Sequence, residues 1–126
     1  MRFTTRTLAA LVLLMPLSIP VFATDLVNVS GADRTALGGY DPVAFFTDSK
    51  AVKGSPRITA RHRGAAYFFA TEEHRKMFEQ NPDKFVPQYG GFCAYGVAVG
   101  ALFPVDITTW QVRDGKLYLN KASVFG

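Results

Sequence analysis

The chain has 126 residues, a net charge of +4 and a single cysteine. That length bounds it to one domain with a modest core, and one cysteine excludes an intramolecular disulfide framework. Part of the positive charge falls on Arg2 and Arg6, and the rest is too weak a balance to point to nucleic acid.

Arg2 and Arg6 precede an apolar run from Leu8 to Phe22, interrupted by Pro16 and Pro20 and closed by Val21-Phe22-Ala23. Small residues three and one positions before the break complete the pattern of a secretory signal peptide. Residues 1–23 are therefore expected to be removed, leaving a mature domain over 24–126. A spanning helix needs about 20 apolar residues, and this run is shorter and carries two prolines. The expectation is an exported protein, periplasmic or extracellular, with no membrane attachment after cleavage. In such a compartment a lone cysteine is buried, bound to metal, paired with another molecule, or reactive.

Asp25 to Gly31 alternates apolar and polar residues, as an edge strand would. The turn residues Gly38-Gly39 follow, and Pro42 biases Asp41 away from helix, so that its carboxylate is free to cap a turn. Val43 to Phe46 is apolar throughout and is read as buried, whereas Thr47 to Ser55 is polar and ends in Gly54-Ser55-Pro56, a loop by composition. Arg57 to His62 and Ala65 to Phe69 flank Arg63-Gly64 and read as a hairpin. Thr71 is the expected N-cap of a helix that opens with Glu72 and Glu73. Asn81-Pro82 ends that helix and starts a short second one through Phe85. Tyr89 to Gly100 holds Cys93 among glycines and alanines. It is expected to be helical from about Gly91 to Val99 and buried nearly all round. The glycines, costly in a helix interior, would then mark a close approach by another element. Trp110 to Arg113 and Lys116 to Leu119 flank Asp114-Gly115, the strongest short-range hairpin signal. Phe45, Phe46, Phe68, Phe69, Phe78, Phe85 and Trp110 are the expected core. The fold class that follows is α+β, a small single domain of two β-hairpins packed on two or three short helices.

The order of these motifs resembles the YHS-domain family. Gly39-Tyr40-Asp41-Pro42-Val43-Ala44-Phe45-Phe46, Tyr67-Phe68-Phe69-Ala70 and Phe78-Glu79-Gln80-Asn81-Pro82-Asp83-Lys84-Phe85 carry the likeness. Pro87 to Tyr95 and Asp114 to Asn120 look like the small exported branch of that family. The resemblance covers about residues 36 to 121, and it implies a YHS/TRASH-like fold. It also implies a tryptophan-containing helix after the last hairpin, and no such helix is read before Gly126. Metal-binding relatives place cysteines in the Asp-Pro-Val-Cys motif and in a Cys-x3-Cys pair after the Tyr-Phe strand. The corresponding positions here are Ala44, Ala70 and His74, so two of the three thiolates are replaced by alanine.

His74 shares a helix face with Met77 and Phe78 and is expected to point inward. Two readings of His74 and Cys93 stand open. Either both are core residues of a structural or protein-interaction module, or they face each other as ligands. Thiolate suits Cu(I), and imidazole suits Cu or Zn. Zinc takes three or four protein ligands, so Asp41, Tyr40, Tyr95, Met77 or a partner chain would have to complete the set. The expected partner is then a metal ion or small ligand. A Cys-His nucleophile is a third reading, but no residue is identifiable to orient the histidine, and no catalytic residue is assigned.

Overall fold

The computed structural model describes residues 27–101 and 105–121. The expected signal peptide lies outside these residues.

The chain opens with a short edge strand, β1 (Val29–Ser30), antiparallel to β2 (Thr35–Ala36). A tight turn over Leu37–Gly39 leads to helix α1 (Ala44–Thr47). Strand β3 (Ser55–His62) and strand β4 (Ala65–Phe69) form the first expected hairpin. Arg63 and Gly64 both have positive φ, 48° and 76°, the paired left-handed geometry that matches the twist of the flanking strands. β2 pairs with β4 in parallel through Thr35 and Ala66, which gives a four-stranded sheet in the order β1-β2-β4-β3.

Helix α2 (Glu72–Gln80) starts where Thr71 predicts, because the Thr71 hydroxyl accepts from the His74 amide at 3.1 Å. Helix α3 (Pro82–Phe85) follows, with Pro82 in its first turn as expected. After a tight turn over Gln88–Gly91 comes helix α4 (Ala94–Ala98). The second hairpin joins β5 (Asp106–Arg113) to β6 (Lys116–Asn120) as a separate two-stranded sheet. Its turn repeats the first one, with φ of 51° at Asp114 and 72° at Gly115. The architecture is α+β, one small domain with two sheets and short helices.

The core lies where α2 crosses β4. Strand alternation turns Tyr67 and Phe69 toward α2, and their rings sit 5.0 and 5.2 Å from Phe78. Phe45 of α1 meets Trp110 of β5 edge to face at 5.2 Å, and Phe46 meets Phe85 at 5.4 Å. Edge-to-face aromatic pairs add about 0.5–1.5 kcal/mol beyond the area they bury. The Phe45–Trp110 contact ties the second hairpin to the first half of the chain.

Two expectations need correction. Phe68 is not in the inward cluster. It faces away between Tyr67 and Phe69, half-buried, and its ring lies 3.1 Å from where a side chain on Gly39 would begin. The Cys93 stretch is not a helix from Gly91 and is not buried all round. Gly90 and Gly91 have φ of 63° and 82°, which no right-handed helix allows, so these glycines serve a turn. Helix α4 begins only after Cys93, and Tyr95 and Val99 are 67% and 57% exposed.

Candidate functional site

Asp41 is the only charged side chain buried among the described residues, at 0% exposure. Pro42 holds the chain extended before α1, so the Asp41 carboxylate folds back over the start of that helix. Oδ1 accepts from the Val43 and Ala44 amides at 2.9 and 3.3 Å. Oδ2 accepts from the Ala70 amide at 2.9 Å and from His74 Nδ1 at 2.7 Å. One carboxylate thus joins α1, the end of β4 and α2. Four donors on two oxygens compensate its burial, as a buried acid requires.

His74 reaches this carboxylate because Thr71 caps α2 and places position 74 on its inward face. On the other side of the ring, Nε2 lies 3.3 Å from the Thr47 hydroxyl. Aspartate, histidine and hydroxyl in series are the components of a nucleophilic relay. The Thr47 proton, however, is shared with two other acceptors, Asp48 Oδ1 at 3.0 Å and the Val43 carbonyl at 3.3 Å. The nearby backbone amides that could steady an oxyanion are spent on Asp41. The geometry builds a structural clasp.

Cys93 lies elsewhere. It immediately precedes α4, is 1% exposed, and forms a parallel bridge with Leu119 of β6. Its Sγ accepts from the Lys121 amide at 3.2 Å. The thiol therefore satisfies a backbone donor at the end of β6 and fastens the α4 segment to the second hairpin.

Of the residues that the sequence singles out, the structure brings together Asp41 and His74. Cys93 has its own partners on β6, Tyr95 points to solvent, and Met77 packs at the edge of the core. Tyr40 lies under the Lys53 ammonium, 4.7 Å from ring centre to nitrogen. Among the described residues, no three His, Cys, Asp or Glu side chains gather where a metal ion could sit. The imidazole of His74 and the thiol of Cys93 have different partners, the Asp41 carboxylate and the Lys121 amide. Zinc would need one or two further ligands, and the Asp41 carboxylate is already saturated.

Two features were not singled out in the sequence. Thr47 completes the Asp41–His74 series, and it sits four residues after Val43, where its hydroxyl reaches back along α1. Tyr67 is 3% exposed on the inward face of β4, and burial pushes its phenol up to about 12, partly offset by the Arg63 charge. The alternation of β4 was signal enough to turn Tyr67 inward, but not to show what its hydroxyl meets.

Compared with protein-family models, curated proteins and solved structures, the chain matches none.

Proposed function

We propose that the chain is a non-enzymatic binding module of the YHS type, in which Asp41, His74 and Cys93 serve the fold rather than a metal or a reaction. The observation that carries this reading is the state of Cys93. Its side chain is 1% exposed and its sulfur accepts the Lys121 amide. A nucleophilic thiol needs an accessible, electropositive setting, and a buried cysteine engaged with backbone behaves as a small hydrophobe. His74 supports the same reading, since both ring nitrogens face protein oxygens. The motif order from Gly39 to Asn120 supports the family, and Ala44 and Ala70 stand at two of the thiolate positions of its metal-binding members.

The test is an anaerobic titration of the reduced protein with Cu(I) and with Zn(II), beside Cys93→Ala and His74→Ala. The expected result is the same weak uptake by all three proteins. A stoichiometric site that disappears in either variant would overturn the reading in favour of a soft-metal centre. Iodoacetamide should label Cys93 only after unfolding, and rapid labelling of the folded protein would favour a thiol enzyme instead.

A further inference from the structure

A cavity of about 550 Å³ opens between β4 and the Gln88–Gly91 turn. That volume is in the range of small-molecule sites. Its lining combines hydrocarbon from Val86, Pro87, Phe92 and Val97 with the polar side chains of His62, Arg63, Tyr67 and Asp83. Tyr89, 53% exposed, stands on the rim. The turn beneath is pinned to the start of the described chain, because the Asn28 amide donates to the Gly90 carbonyl at 2.8 Å.

The polar groups differ in what they have left to give. Asp83 Oδ1 is engaged by His62 Nε2 at 3.1 Å and by the Arg63 guanidinium at 3.3 Å. Tyr67 is not engaged in this way. The residue is 3% exposed, and its hydroxyl is without a hydrogen bond among the described residues, but its oxygen is not a fully enclosed atom. Tyr67 lines the cavity, so its hydroxyl can donate to a molecule held there. A tyrosine hydroxyl is a neutral donor at physiological pH, and burial raises its pKa further, to about 12.

We propose that this cavity binds a small uncharged molecule with a hydrocarbon body and a carbonyl oxygen at one end. The oxygen accepts from the Tyr67 hydroxyl, and the body lies on Val86, Pro87, Phe92 and Val97. An uncharged acceptor suits the site better than an anion, because the Asp83 carboxylate offsets the Arg63 charge and repels a second negative group. The inference rests on the reading of the chain as a binding module, but not on whether Cys93 or His74 takes metal.

The experiment follows backbone amide shifts of the ¹⁵N-labelled protein during titration with acetophenone, ethylbenzene and benzoate. Acetophenone and ethylbenzene are close in shape and differ in the carbonyl. Acetophenone is expected to shift the Val86, Gln88 and Phe92 amides and to bind about five- to tenfold tighter than ethylbenzene, the usual worth of one hydrogen bond. Tyr67→Phe should erase that ratio while leaving ethylbenzene binding unchanged, and Val97→Trp should block both. Equal binding of the two probes to the wild type, a ratio that survives Tyr67→Phe, or no shift with any probe would overturn the proposal. Tighter binding of benzoate than acetophenone would overturn the choice of an uncharged ligand. The metal titration and this one have separate readouts, so either can fail alone.

Discussion

Asp41 shows how one side chain can decide the geometry around it. Its two oxygens accept from three backbone amides and one imidazole. Truncation in Asp41→Ala would leave those donors buried without an acceptor. Removing one member of a buried, hydrogen-bonded pair costs about 3–5 kcal/mol, and that loss is expected in urea denaturation of Asp41→Ala. The double variant with His74→Ala should lose less than the sum of the single changes, because the two residues share one interaction. A loss below about 1 kcal/mol for Asp41→Ala would contradict the clasp. Tyr67 gives the second prediction at this scale. Burial raises its phenol from the ordinary 10.0 to about 12 in the folded chain. Between those values the unfolded chain releases a proton that the folded chain keeps, so stability is unaffected below pH 10 and falls as pH rises toward 12. The two-unit shift corresponds to about 2–3 kcal/mol. Tyr67→Phe should flatten the alkaline limb of the stability profile, and an unchanged limb would place the phenol in water.

At the scale of elements, boundaries written in local chemistry were legible and those set by long-range contact were not. The Thr71 cap, the Pro82 start and the turns at Arg63-Gly64 and Asp114-Gly115 depend only on neighbouring residues, and each falls where the sequence predicts. The segment from Tyr89 to Gly100 misled because glycine has two uses, close approach and positive φ. Composition cannot distinguish them, and here Gly90 and Gly91 serve the turn. Close approach occurs instead at Gly54, whose surroundings are a loop by composition. A methyl group there would lie 2.5 Å from the backbone carbonyl carbon of Phe68, and its amide donates to Gly39 at 2.8 Å. Backbone cannot yield as a side-chain tip can. Gly54→Ala is therefore expected to destabilise by about 1–3 kcal/mol, the range for overpacking, as a lower denaturation midpoint with an unchanged slope. A midpoint equal to that of the wild type would show that the β3 entry shifts freely.

Across the whole molecule, three unrelated devices join segments far apart in sequence. The Asp41 clasp gathers α1, the end of β4 and α2. The Phe45–Trp110 pair and the Cys93 bridge fasten the second hairpin to the rest. The amino-acid sequence by itself determined the α+β class, both hairpins, the two consecutive helices after Thr71 and most of the aromatic core. These follow from periodicity, capping and turn chemistry, which act within a few residues. The sequence also brought forward Asp41, His74 and Cys93. Only the tertiary structure decided their company, giving His74 to Asp41 and Cys93 to β6, because partners 33 and 28 residues apart are chosen by packing. The cavity beside Tyr67 has the same origin. Its lining draws on β3, β4, α3, the turn after α3 and α4, and no local pattern records that they meet.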